Sequence, residues 1–357
     1  MHGGRIYEYA EQSGRSLTEL LDFSANINPL GPPSSVMSAI QDALKEIRHY
    51  PDARQSRVIE TIRSKYGLSE DYGVFCGNGA SEILDLTIRS LSPKRVWILE
   101  PAFSEYRQAA YRAGAKVMEK TIGNTSLQNT LLEIVDSSMK GDLLIINNPH
   151  NPTGYCWRQE EFSASLPMLC RKEVTVLLDE SFMDFRLDEE NRTLMRQVIH
   201  LPNLVVVRSA TKMYAIPGLR FGYGIAHREL SNRIEHNRDR WSVNHLAQAA
   251  ATAAYQDRAF SEATWNWLSH EQQYILATWG SSNAGHLFMP SVNYFLFRFH
   301  ENIPVHKILK RLEAEGIFVR RCHDFATLSE RYIRVAIQTH SANESLWNAL
   351  NQALQAF

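Results

Sequence analysis

The sequence has few of the features that mark membrane, secreted or metal-binding proteins. Its apolar runs fall short of the roughly 18 residues that a bilayer-spanning helix needs, and the first residues, MHGGRIYEYAEQ, lack the apolar segment of a signal peptide. The cysteines show neither a C-x-x-C pair nor metal-ligand spacing: Cys76, Cys156, Cys170 and Cys322. We therefore predict a cytoplasmic protein with reduced thiols, no metal site and no membrane contact.

An excess of charge of one sign is also missing. The 357 residues include 38 Lys and Arg against 39 Asp and Glu, a net charge of -1, and the basic residues are scattered along the chain. Since nucleic acids are bound through basic patches, we predict no nucleic-acid partner. No predicted strand is followed by G-x-G-x-x-G, which argues against a nicotinamide-dependent dehydrogenase.

The chain does contain short apolar runs that alternate with amphipathic segments. Seven runs are predicted as buried strands: GVFC (73–76), VWIL (96–99), KVME (116–119), LLIIN (143–147), VTVLLD (174–179), LVVVR (204–208) and GYGIA (222–226). Helices are predicted between them, for example at 81–91, 104–113 and 160–171. This alternation indicates an α/β domain with a doubly wound sheet.

The pattern changes after about residue 241. Helix-like stretches at 244–255 and 261–279 are followed by predicted strands at 293–299, 317–320 and 332–337, which is typical of a smaller α+β domain. We therefore divide the chain into an N-terminal arm with part of the small domain (1–45), a large domain (46–250) and a small C-terminal domain (251–357).

Polar clusters follow four of the predicted strands. GNGASE (77–82) opens a helix, NNPHNPTG (147–154) and DES (179–181) end two further strands, and RSATK (208–212) ends another. Ligands of such sheets bind beyond the carboxyl ends of the strands, so we expect the clusters to meet. Each cluster alone is common in turns and helix caps, and a lone lysine is usually solvated. The prediction depends on their combination.

Together the clusters predict a site for pyridoxal 5′-phosphate. Four groups suit the phosphate: the N–H groups of Ala80 and Ser81 at a helix N-terminus, the Ser209 hydroxyl and the Arg220 guanidinium. Asp179 suits a protonated pyridine nitrogen, and Asn151 suits a ring hydroxyl. Lys212, desolvated and near other cations, would have a lowered pKa and would attack the aldehyde.

These motifs, in this order, resemble the aminotransferase class I/II family of fold type I pyridoxal-phosphate enzymes, which includes histidinol-phosphate aminotransferase. The resemblance implies a large, mostly parallel seven-stranded sheet domain, a smaller α+β domain, and a homodimer with shared active sites. It implies that Lys212 bonds covalently to the cofactor and that Asp179 keeps the ring nitrogen protonated. Phe103 of PAFSEY would stack on the ring, and Tyr50 of HYPD would reach the cofactor phosphate of the second subunit.

Further segments resemble the L-threonine-O-3-phosphate decarboxylases of this family, which make the aminopropanol phosphate of the cobalamin nucleotide loop. They are HGG (2–4), DFSANINPLGPP (22–33), DESFMDF (179–185) and TKMYAIPGLRFGY (211–223). The resemblance assigns binding of a phosphorylated amino acid to five residues: His2, Gly3, Asn26, Arg320 and Arg334.

Two alternatives to a decarboxylase stay open. A histidinol-phosphate-type aminotransferase would share the cofactor and the fold, although such enzymes usually carry a tyrosine where this chain has Phe182. A binding protein without turnover is the other alternative, and the intact Lys212, Asp179 and Asn151 argue against it.

Overall fold

The computed structural model describes residues 3–122 and 126–356, so that the predicted substrate residue His2 lies outside the described residues. The strands are β1 Leu21–Phe23, β2 Tyr72–Gly77, β3 Arg95–Glu100, β4 Lys116–Thr121, β5 Leu143–Asn147, β6 Thr175–Asp179, β7 Leu204–Ser209, β8 Gly222–His227, β9 Gly285–Leu287, β10 Tyr294–Phe299, β11 Ile317–Arg321 and β12 Tyr332–Ala336. The α-helices are α1 Ile6–Ser13, α2 Ser34–Ala43, α3 Ser56–Tyr66, α4 Ala80–Leu91, α5 Ser104–Arg112, α6 Leu127–Ser137, α7 Ser165–Arg171, α8 Ala210–Met213, α9 Arg228–Glu235, α10 His245–Gln256, α11 Arg258–Thr278, α12 Val305–Ala314 and α13 His340–Gln355.

The larger sheet has seven strands in the order β2-β8-β7-β6-β5-β3-β4. The pairs from β7 to β4 are parallel, whereas β8 is antiparallel to both of its neighbours. All seven predicted strands are present, so the predicted large, mostly parallel sheet is confirmed.

Both faces of this sheet are covered, which explains the continuous apolar runs in its strands. In β5, Leu144 and Ile146 lie in one hydrophobic cluster, and Leu143 and Ile145 lie in another on the opposite face. β4 is the exception to the predicted burial: it is an edge strand whose residues are exposed or half-buried. Its charged residues Lys116, Glu119 and Lys120 are exposed or half-buried, and charged side chains are common in strands at the edge of a sheet.

A second sheet of five strands has the order β1-β11-β12-β10-β9. β1 runs parallel to β11, with Leu21 opposite Ile317, so a segment near the start of the chain is paired with the C-terminal part. β11 and β12 are antiparallel, and their register places Arg320 directly opposite Arg334. Directly opposite residues point to the same face of a sheet, so these two arginines project together.

One predicted helix is interrupted. The stretch 160–171 forms a 3₁₀ turn at Gln159–Phe162 and then α7, with Pro167 in the first turn of α7. Proline is tolerated in the first turn of a helix, but in the interior of a continuous helix it removes a hydrogen bond and its ring clashes with the carbonyl four residues earlier. The chain therefore begins a new helix just before this proline.

Candidate active site

A cavity of about 540 Å³ lies where the carboxyl ends of β5, β6 and β7 face the five-stranded sheet. Most of the predicted site residues line it: Gly3, Asn26, Ala80, Ser81, Phe103, Asn151, Asp179, Ser209, Lys212, Arg220, Arg320 and Arg334. The four polar clusters therefore meet at one place, as the topology of the sheet requires.

The N-terminus of α4 forms one wall of this cavity. The first N–H groups of a helix have no partner within the helix, and Ala80 and Ser81 occupy these positions. A methyl group built on Gly79 would lie 2.5 Å from Arg220 Nη2, and one built on Gly222 would lie 2.4 Å from the Ala80 nitrogen. Only glycine permits this close approach. The result is a cradle of N–H groups and a guanidinium, which suits a phosphate dianion.

The carboxylate of Asp179, at the end of β6, is held by two donors. Tyr106 Oη donates to Oδ2 at 2.6 Å, and the Ser181 N–H donates to Oδ1 at 2.9 Å. Burial raises the pKa of Tyr106, so the phenol keeps its proton and remains a donor. Tyr106 is missing from the sequence-based prediction. Its position in the first turn of α5, three residues after Phe103 at the N-cap of that helix, could have identified it.

Lys212 lies in the short helix α8, directly after β7. Its Nζ is 3.4 Å from Ser209 Oγ. Burial lowers the pKa of Lys212 to about 8, and the charges of Arg220 and Arg334 act in the same direction. The carboxylate of Asp179 opposes this shift. An appreciable fraction of the amine is therefore neutral near neutral pH, as a nucleophile has to be.

Arg334 connects the small sheet to the loop that follows β5. Its Nη1 donates to Asn151 Oδ1 at 2.7 Å, and its Nη2 donates to the Ser24 carbonyl at 2.7 Å. Burial lowers the pKa of Arg334 to about 10, which still leaves the guanidinium charged at neutral pH. Its Nε is buried without a hydrogen-bond partner in the described part of the chain. An anionic ligand in the cavity would accept a hydrogen bond from this Nε.

Arg320 lies beside Arg334, and three contacts hold its guanidinium. Its Nη2 donates to Asp324 Oδ2 at 2.9 Å, and its Nη1 donates to the Arg321 carbonyl. Its Cζ lies 5.1 Å from the centre of the Phe325 ring. These contacts fix one edge of the guanidinium and leave other N–H groups available to a ligand.

The N-terminal segment also lines the cavity, at the end that contains Arg320 and Arg334. A methyl group built on Gly3 would lie 2.1 Å from the Ser24 carbonyl oxygen, and the Gly4 N–H donates to Ser24 Oγ at 2.9 Å. Asn26 is buried, its carbonyl accepts from Asn293 Nδ2 at 3.0 Å, and its Oδ1 has no partner among residues 3–122 and 126–356. The side-chain amide of Asn26 is therefore incompletely bonded beside the two arginines.

Comparison with known proteins identifies the family. The family model described as aminotransferase class I and II matches residues 18–350. The chain belongs to the class I and II aminotransferases. This membership, together with the seven-stranded sheet, confirms the predicted fold class.

Three relatives of this class I/II aminotransferase show the range of activities nearby. A threonine-phosphate decarboxylase from Salmonella typhimurium is 34% identical, with 99% of this chain and 96% of that protein covered. The adenosylcobalamin biosynthesis bifunctional protein CobDQ from Leptospira interrogans is 26% identical, with 98% of this chain and 40% of that protein covered. The crystal structure of histidinol-phosphate aminotransferase from Clostridium acetobutylicum has a TM-score of 0.88 at 31% identity, with 95% of this chain and 100% of that chain covered.

Tyr50 does not line the cavity of its own chain in this class I/II aminotransferase. Its side chain is 80% exposed and stacks on Trp241, with 4.7 Å between the ring centres. The predicted role of Tyr50 in the site of a second subunit requires such an exposed position and stays a prediction.

Phe182 lies next to Lys212 in this family member. The Lys212 Nζ is 5.5 Å from the centre of the Phe182 ring. The ring itself packs edge-on against Tyr294 at 4.9 Å. Phe182 therefore lines the cavity with carbon only and offers no hydroxyl there.

A buried ionic cluster beneath the site is a second feature that sequence reasoning missed. The fully buried Arg208 donates to three carboxylates: Glu180 at 2.8 Å, Asp184 at 2.8 Å and Glu189 at 2.9 Å. Residues adjacent along a strand point to opposite faces. Arg208 and Glu180 therefore join the ends of β7 and β6 on one face, while their neighbours Ser209 and Asp179 line the cavity.

Two further features concern metals and membranes. No group of three or more His, Cys, Asp or Glu side chains in the described part of the chain is arranged to bind a metal ion. Across residues 3–122 and 126–356, none of the helices combines the length and the apolar character that a membrane span requires.

Proposed function

We propose that the protein uses pyridoxal 5′-phosphate to decarboxylate L-threonine O-3-phosphate, giving carbon dioxide and (R)-1-amino-2-propanol O-2-phosphate for cobalamin biosynthesis. The observation that carries this proposal is one cavity with Lys212 and Asp179 at one end and the register-paired Arg320 and Arg334 at the other. The relative named threonine-phosphate decarboxylase supports the reaction, and the bifunctional adenosylcobalamin protein supports the pathway.

The donor set of the cavity fits this cofactor. The N-terminus of α4, held close to Arg220 by two glycines, would bind the phosphate. Asp179, oriented by Tyr106, would hold the proton on the pyridine nitrogen. Asn151 would donate to the ring hydroxyl through its side-chain NH₂, since its Oδ1 already accepts from Arg334. When bound, pyridoxal phosphate supplies an electron sink for the electron pair left at Cα.

Lys212 has two tasks in this proposal. Its lowered pKa makes the neutral amine available to bond the cofactor aldehyde. As a free amine beside Ser209, Lys212 would hold or deliver a proton at Nζ. The apolar Phe182 ring near Nζ keeps water from that side of the amine.

The placement of the substrate anions would select which bond to Cα breaks. Arg320, Arg334 and Asn26 form the anion-binding end of the cavity, and we assign the substrate phosphate to this end. Held at that end, the phosphate would leave the Cα carboxylate of the substrate without an arginine partner, which would favour its loss. If an arginine instead bound the carboxylate, loss of the Cα proton would be favoured, as an aminotransferase requires.

A carbon dioxide assay decides between decarboxylase and aminotransferase. Cofactor-loaded protein is incubated with L-threonine O-3-phosphate, with and without 2-oxoglutarate. Release of carbon dioxide without the keto acid is expected, whereas turnover that strictly requires 2-oxoglutarate would contradict the proposal. L-Serine O-phosphate is tested alongside, because a single methyl group changes binding by only about 1–3 kcal/mol.

The covalent role of Lys212 is tested without any substrate. Borohydride reduction should fix pyridoxal phosphate to the wild-type chain and to Lys140→Ala, which removes an exposed lysine. It should fix none to Lys212→Ala, and peptide mass spectrometry would locate the label. Undiminished labelling of Lys212→Ala would assign the bond to another lysine.

We further propose a cytoplasmic homodimer in which each subunit contributes Tyr50 to the other subunit's cofactor phosphate. The exposed Tyr50–Trp241 pair, outside the cavity of its own chain, supports this role, and the four free cysteines fit a reducing compartment. Sedimentation should give twice the chain mass, and Tyr50→Phe should weaken cofactor binding without unfolding the protein. A fully active monomer would contradict the proposal.

A further inference from the structure

A second cavity, of about 530 Å³, lies on the other side of Arg320 from the active site. It is bounded by α1, the C-terminal end of α12 and β11, and Arg320 lines both cavities. It is nearly as large as the active-site cavity of about 540 Å³, so it can hold a molecule of similar size.

The second cavity is lined by arginines. Its lining contains four guanidinium groups and one carboxylate: Arg5, Arg15, Arg320, Arg321 and Glu313. Three of these arginines are paired with carboxylates: Arg5 with Glu8, Arg320 with Asp324 and Arg321 with Glu313. Four guanidinium groups against these three carboxylates leave an excess of one positive charge, and an anionic ligand would balance it.

Two of these arginines have N–H donors that no carboxylate accepts. Arg15 Nη2 donates to a neutral acceptor, the Ala314 carbonyl, at 2.8 Å. Arg5 Nε is buried without a hydrogen-bond partner among the described residues. Arginine recognises phosphate through two parallel N–H groups, so unfilled donors from neighbouring arginines are the chemistry of a phosphate site.

Packing of aromatic rings fixes the shape of this cavity. The Tyr9 ring of α1 stacks on Phe318 of β11, with 4.0 Å between centres and 7° between planes. Arg5 Cζ lies 5.6 Å from the centre of the Tyr9 ring. The stack holds α1 against the small sheet, so the arginines of both elements are brought to one site before any ligand binds.

We propose that the second cavity binds a small phosphate-bearing molecule, and that this site communicates with the active site through Arg320. A ligand there would contact the guanidinium of Arg320, which also lines the active site. Because the two ligands share this guanidinium, each weakens the binding of the other, and by the same factor. The phosphate-binding part of this inference is independent of the proposed decarboxylation.

Calorimetric titration with inorganic phosphate tests the site. The full-length, cofactor-loaded protein is used, so that the cofactor's own phosphate position is filled. Two phosphate ions per chain are expected for the wild type. The double variant Arg15→Gln/Arg321→Gln should weaken one of them about tenfold or more, while the other site still binds phosphate.

A matched variant controls for the loss of two positive charges. Arg258→Gln/Arg311→Gln removes two exposed arginines outside both cavities, each paired with a glutamate four residues later. It should bind phosphate like the wild type. Arg15→Lys/Arg321→Lys keeps the charge but loses the bidentate geometry, and should show an intermediate affinity, which guards against misfolding of the glutamine variant.

The outcomes separate this inference from the proposed function. Phosphate binding that is unchanged in Arg15→Gln/Arg321→Gln overturns the second site whatever the carbon dioxide assay shows. Coupling is tested by repeating the titration with the active site saturated by the reaction product, (R)-1-amino-2-propanol O-2-phosphate, which is not consumed. The remaining phosphate should then bind more weakly in the wild type, and an unchanged affinity would refute the role of Arg320.

Discussion

Replacing Lys212 by methionine should stabilise the cofactor-free protein near neutral pH. The pKa of Lys212 is about 8 against an ordinary value of 10.5, because burial disfavours the charged form. A shift of about 2.5 pKa units corresponds to about 3 kcal/mol of lost stability while the amine is protonated. Lys212 is only partly buried, so we expect the gain from Lys212→Met at pH 7 to be about 1–3 kcal/mol.

The lowered pKa of Lys212 determines how the stability of the wild type changes with pH. Between pH 8 and 10.5 the unfolded chain binds more protons at this lysine than the native chain does, so the stability of the wild type rises with pH in that interval. Below pH 8, the native state is destabilised by the full cost of the buried charge. The advantage of Lys212→Met should therefore be greatest near pH 7 and vanish as the pH approaches 10.5.

Urea unfolding of the cofactor-free protein from pH 7 to 10.5 measures this difference. Lys140→Met is the control, because the Lys140 side chain is 74% exposed and its effect should not vary across this range. A Lys212→Met protein that is less stable than the wild type, or a stability difference that is constant with pH, would refute the reasoning. Adding pyridoxal phosphate should reverse the order, since only the wild type can bond it covalently.

Three further changes have defined outcomes. Tyr106→Phe removes a hydrogen bond to the Asp179 carboxylate, worth about 1.5–3 kcal/mol, and cofactor titration should show at least about tenfold weaker binding. Gly222→Ala places a methyl group 2.4 Å from the Ala80 nitrogen, so cofactor absorbance should be lost while circular dichroism is retained. Arg208→Met leaves three carboxylates without their cation, and urea unfolding should show a loss of about 3–5 kcal/mol, whereas a loss below 1 kcal/mol would mean that they are protonated or hydrated.

Much of the large sheet could be predicted because its strands are buried on both faces. Such strands are continuous aliphatic runs, and the polar residues that end them fall at one edge by topology alone. This is why Asp179, Lys212 and Asn151 were brought together without any knowledge of side-chain contacts. The edge strand β4 was wrongly predicted as buried, because strand order is not encoded in the short run KVME.

The features that were missed depend on contacts between distant parts of the chain. Tyr106 reaches Asp179 only because α5 packs over the strand ends. Arg208 follows a run of valines, and nothing local indicates that its charge is met by Glu180, Asp184 and Glu189. Such buried ionic clusters join side chains from separate elements, so periodicity and motif spacing do not reveal them.

The parallel pairing of β1 with β11 has a consequence for how the protein is made. Leu21 is synthesised 317 − 21 = 296 residues before its partner Ile317. The seven-stranded sheet can assemble in this interval, because its last strand ends at His227. The first strand must wait in an unpaired state, so the end of the cavity that contains Arg320 and Arg334 is completed only after β11 and β12 have been synthesised.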